Sequence, residues 1–90
     1  MKRHVAFQDV FGTPVAIVEV ARAELQNLKQ EEQLRQQFVQ LPQFQEVLVV
    51  LGVPHEGQLF ATFSAPPKIQ KELEKIGWIR LLWQEIELPV

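Results

Sequence analysis

The stretch "EVLVVLGV", Glu46 to Val53, constrains the fold more than any other part of the chain. It is short, β-branched and apolar at almost every position. A strand with one solvated face alternates apolar and polar residues, whereas a strand covered on both faces is apolar throughout. This segment therefore predicts an interior strand that something must cover from both sides.

The following stretch, "GVPHEGQLF", sets the second question, because it holds one of the two histidines beside a glutamate. A zinc motif of the H-E-x-x-H kind needs a second histidine one helical turn on, so that both rings reach one metal from one face. Leu59 stands in that place, and Gly57 breaks a helix there. His55, Glu56 and Gly57 read as a tight hairpin loop with glycine at the left-handed position. "QLFATFS", Gln58 to Ser64, alternates and forms the return strand.

Upstream, "FGTP" (Phe11 to Pro14) divides the first twenty residues into two strands, about 4–11 and 14–20. Residues 21–41 lack Gly and Pro and are rich in helix formers. Their apolar positions switch face, however. Ala21, Leu25, Leu28 and Val39 fall on one side, and Ala23, Leu34, Phe38 and Leu41 roughly opposite. Either the helix breaks near "KQEEQ", or one helix keeps a spare apolar face for a partner. Pro42 ends the segment.

"APPKIQKELEKIGW" predicts a second helix. Pro67 sits in its first turn, Ile69, Leu73 and Ile76 form its stripe, and Gly77 closes it with a positive φ. Lys68 and Glu72 stand at i, i+4 for an ion pair. A last strand over Ile79–Leu88 completes the order, and Pro89 stops it.

A strand, a helix, a hairpin, a helix and a strand is the order of the ferredoxin-like sandwich. The expected fold is α+β: a β-α-β-β-α-β sandwich with an additional N-terminal strand, an antiparallel sheet and two helices on one face. One domain spans residues 1–90. In that arrangement "EVLVVLGV" lies at an edge, although its sequence demands cover. The extra strand, a different strand order or a second subunit could supply it.

Chemistry finds few carriers. The chain has no Cys and no Tyr, and its hydroxyls are Thr13, Thr62 and Ser64. None lies in a nucleophile elbow, and Ser64 suits a helix cap. Asp9 is the sole aspartate, and the glutamates are scattered within reach of Lys and Arg, as on a solvated face. No catalytic residue, cofactor or metal site is expected, and the chain is read as not an enzyme. "EGQLFATF" matches the stacking motif of RNA-recognition modules at Gly57, Phe60 and Phe63. It carries Glu56 and Gln58 where that motif has a basic residue and an aromatic.

The net charge of −2 also disfavours a nucleic-acid partner. The basic start "MKRHVAFQD" meets Gln8 and Asp9 before any apolar run, so no signal sequence is expected, and no stretch reaches membrane-spanning length. These features and the missing cysteines suggest a cytoplasmic protein without a membrane partner.

What remains is a surplus of apolar surface for ninety residues. The expected role is a small protein-binding or regulatory module, homodimeric through its sheet or its spare helix face. Phe60, Leu82, Trp83 and Ile86 are the expected contact on the sheet, with Leu34 and Phe38 on the helix. One rival is a dimeric α+β-barrel binder or enzyme with His55 or His4 at the pocket mouth. Another is weak single-strand nucleic-acid binding through Phe60 with Lys2, Arg3 and Arg80.

Overall fold

A computed structural model describes residues 1–89. Strands β1 (Lys2–Val10) and β2 (Thr13–Glu19) form a hairpin that turns on Phe11 and Gly12. Both turn residues have positive φ, 52° and 79°, as a two-residue hairpin turn matched to strand twist requires. Asp9 Oδ1 accepts the Gly12 N–H at 3.0 Å and fixes the corner.

Helix α1 covers Leu28–Val39, shorter than the sequence predicts. Residues 22–24 form a single 3₁₀ turn, and the chain extends before Asn27 caps α1 by accepting the Gln30 N–H at 2.8 Å. The cap explains the switch of apolar face: the segment is two pieces, and the break falls at Asn27 rather than inside "KQEEQ". Phe38 is wholly buried, Leu34 and Leu41 pack beside it, and Leu28 is left in solvent.

Strand β3 (Leu48–His55), a left-handed turn at residues 56–58 and strand β4 (Phe60–Ser64) form the predicted hairpin. Helix α2 (Pro67–Ile76) ends at Gly77, φ +87°. Lys68 and Glu72 do not join in an ion pair. A 3₁₀ turn over Trp78–Arg80 takes the start of the predicted last strand, so β5 is only Trp83–Glu87.

The sheet order is β4-β3-β2-β1-β5, which corrects the ferredoxin-like expectation. β2 and β3 are parallel neighbours, joined through α1, and every other pair is antiparallel. The fold is α+β with a five-stranded mixed sheet. The N-terminal strand is not an addition at the margin; it lies between β2 and β5.

The two helices also lie on opposite faces rather than one. Val5, Ala16, Val18, Val49 and Leu51 pack with Phe38 of α1 and with Phe44. Their neighbours Ala6, Ile17, Val50 and Phe63 pack with Leu73 of α2 and with Trp78 and Leu81. The register agrees, placing Ile17 opposite Val50 and Val18 opposite Leu51. The sheet is the wall between two cores, so "EVLVVLGV" needs no second subunit for cover. Gly52 lets the sheet take a large ring: an added Cβ there would stand 2.8 Å from Trp78 Cζ3 and 3.2 Å from Ile17 Cγ2. Among the described residues, no helix is long and apolar enough to cross a membrane.

Candidate functional site

Because β4 ends the sheet, its outer backbone N–H and C=O groups face away from β3 with no strand to pair them. Side-chain bonds hold the strand at both ends. At one end, Thr62 Oγ1 lies 2.8 Å from His55 Nε2, and Arg22 reaches His55 Nδ1 at 2.8 Å. At the other end, Arg35 of α1 donates to the Ser64 carbonyl at 3.1 Å and to its hydroxyl, while that hydroxyl donates to Glu31. Ser64 thus ties β4 to α1 and is not the helix cap the sequence suggested; Pro66 takes that place without a side-chain bond.

The edge itself carries no charged residue: Phe60, Ala61, Thr62, Phe63, Ser64. Natural sheets commonly blunt an exposed edge with charge, proline or a bulge. The opposite edge, β5, does so with Glu85 and Glu87, which meet Lys2 at 3.7 Å and the N-terminal amine at 3.2 Å. Beside β4, Leu59 and Phe60 are 68% and 62% exposed. A hollow of about 260 Å³ between Leu59, Phe60, Ala61, Phe63, Glu74, Gly77 and Trp78 runs along the strand. Ile79, exposed as well, shares a second hollow with Gln58 of the turn.

The turn leading into this edge is strained. Glu56, Gly57 and Gln58 all have positive φ, 46°, 67° and 72°. Two of the three are not glycine, and each costs conformational energy that the hairpin repays elsewhere.

The six residues expected to form one contact are dispersed. Phe60 sits on the β4 edge. Leu82, 76% exposed, precedes β5 at the far side of the sheet. Trp83 is half-buried, its ring 4.3 Å from that of Trp78 and its Nε1–H donating to the Trp78 carbonyl at 2.9 Å. Ile86 packs on the α1-side core, and so does Leu34, while Phe38 is its centre. Composition alone missed Leu59 and Ile79, although both stand next to residues it singled out.

Polar groups converge near the N-terminus. Arg3 is buried, lies 5.3 Å above the Phe38 ring and grips Glu24 at 2.7 and 3.1 Å. This pair holds the Glu24 carboxyl below its ordinary range, chiefly through the Arg3 hydrogen bonds. The Ala21 N–H helps, and partial burial opposes. His4 Nδ1 lies 2.9 Å from Glu19, with Glu85 3.9 Å from its other nitrogen. His4 and His55 do not share a site: alternation puts His4 on the α2 side of the sheet and His55 on the α1 side. No group of three His, Asp or Glu side chains among the described residues is arranged to hold a metal.

Compared with known protein families, with curated proteins and with solved structures, the chain matches none.

Proposed function

We propose that this chain is a protein-binding module that works as a homodimer, adding the β4 edge of one copy to the β4 edge of another. The observation that carries the reading is the uncharged, unblunted edge with Leu59 and Phe60 exposed beside it. Strand addition draws affinity from main-chain hydrogen bonds, and the side chains along the edge give selectivity.

The choice of a second copy as partner rests on what each edge would meet in itself. Two antiparallel β4 strands centred on Thr62 oppose Thr62 with Thr62 and Ala61 with Phe63. No charge faces a like charge. Two β5 strands centred on Glu85 would set carboxylate against carboxylate, which is destabilising. The barrel alternative loses support, because each sheet face already carries a helix and offers no bare face to enclose a pocket.

The test is the mass in solution by light scattering and sedimentation. The expected value is twice the 10.4 kDa chain. Phe60→Glu and Thr62→Lys should each give a monomer with an unchanged far-ultraviolet circular-dichroism spectrum, and Leu82→Glu should remain dimeric. A monomeric wild type, or a dimer indifferent to both β4 variants, would overturn the reading.

A further inference from the structure

The α2 side of the molecule holds a second feature, away from the β4 edge. Phe11 occupies a turn position with φ +52° and is 72% exposed. Such a position favours Asn, Asp or Gly, and a phenylalanine there gains no burial in return for its strain. It belongs to neither core cluster.

The hairpin tip faces α2, where Lys68, Lys71 and Lys75 stand at i, i+3 and i+7 along one side. None of the three is in an ion pair. By contrast Lys2, Arg3 and Arg35 all meet carboxylates. Phe11, these three lysines and Glu72 line a hollow of about 510 Å³. Asp9, the other acidic group at this corner, is engaged by the Gly12 N–H.

We propose that this hollow binds single-stranded nucleic acid, with a base stacked on the Phe11 ring and the phosphates along the lysine row. The pairing of an exposed aromatic face with a cationic track is the chemistry that single strands use, since every base has a π-face and every nucleotide a phosphate. It needs no base-specific contact, so it does not depend on the motif that fails at Glu56 and Gln58. The overall charge of −2 makes the binding weak and confined to this patch.

The experiment is fluorescence anisotropy of a labelled oligothymidylate titrated with the protein over a series of salt concentrations. Three phosphate contacts predict a slope of log affinity against log salt of about −2. Phe11→Asn should weaken binding about tenfold. Asparagine suits the turn better than phenylalanine, so that loss cannot come from unfolding. Replacing the three lysines by glutamine should abolish the salt slope. Four results would overturn the proposal: no binding at low salt, binding that Phe11→Asn leaves unchanged, polyglutamate competing as well as unlabelled oligothymidylate, or capture only by phosphatidylserine vesicles. Monomeric Phe60→Glu protein should bind the oligonucleotide like wild type, so this test stands or falls separately from the dimer.

Discussion

Arg22 and His55 meet at 2.8 Å, across 33 residues of sequence, and the contact dictates where the imidazole proton sits. A guanidinium can only donate, so His55 Nδ1 accepts. The proton of the neutral ring is then on Nε2, which donates to Thr62 Oγ1 at 2.8 Å. The expected outcome is an Nε2–H tautomer, read from the ¹⁵N chemical shifts of the neutral ring. Arg22→Ala should release that preference and cost about 1 kcal/mol or less, because the pair is largely solvated. An Nδ1–H ring in the wild type would show that the Arg22 contact does not form in solution.

A second pair sets a pH dependence. Glu24 is held below the ordinary carboxylate range by hydrogen bonds from buried Arg3. As acid is added, the unfolded chain takes up this proton first, so folding weakens. The stabilisation is complete above the carboxylate's ordinary value and is lost as pH falls through the depressed folded one. Glu24→Gln should therefore lower the urea midpoint at neutral pH, and the gap from wild type should close in acid. A gap that stays constant between neutral and acidic solution would rule out the Arg3–Glu24 pair as its source.

Gly52 tests the packing on the α2 side. An alanine methyl would collide with the Trp78 ring, which is 4% exposed and wedged between Phe63 and Trp83 at 5.9 and 4.3 Å. Overpacking of this kind costs about 1–3 kcal/mol. Denaturant unfolding should show that loss. The near-ultraviolet circular dichroism should change with it, since the close tryptophan pair must move. An unchanged spectrum and midpoint would mean the ring has room to shift.

Both cores were legible in part. "EVLVVLGV" announced a strand covered twice, and β3 is one; the hairpins, both helices and the Gly57 turn follow from local turn and cap chemistry. The strand order was not legible. Chain order is the same whether β1 lies outside β2 or between β2 and β5, and pairing is decided by packing of residues far apart in sequence. One local signal bears on it: "VAIV", Val15 to Val18, is apolar throughout and buried on both faces, which a sheet with helices on one side does not allow. The burial of Phe38 and the packing of Leu34 in the α1-side core were hidden for a related reason. The switch of apolar face allows either a broken helix or one helix with a spare face, and Asn27, a strong cap former, marks the break that puts Phe38 and Leu34 in the core. Phe11 and the lysine row could not be joined from sequence, because nothing local places a hairpin tip over a helix about 60 residues away.

The turn at residues 56–58 offers the last prediction. Gln58 at φ +72° and Glu56 at φ +46° occupy a region that costs an L-residue about 1–2 kcal/mol and glycine almost nothing. Gln58→Gly should therefore stabilise the fold, though by less than 1 kcal/mol, because glycine also gains freedom in the unfolded chain. The comparison with Gln58→Ala, which keeps the strain and loses only the amide, separates backbone relief from side-chain effects. If the alanine variant gains as much as the glycine variant in thermal melts, the turn is not strained there. If only glycine gains, the hairpin keeps a costly conformation beside the open β4 edge. That conformation leaves Leu59 and Phe60 exposed, and glycine keeps it at lower cost, so the same variant should strengthen the fold and leave the dimer intact.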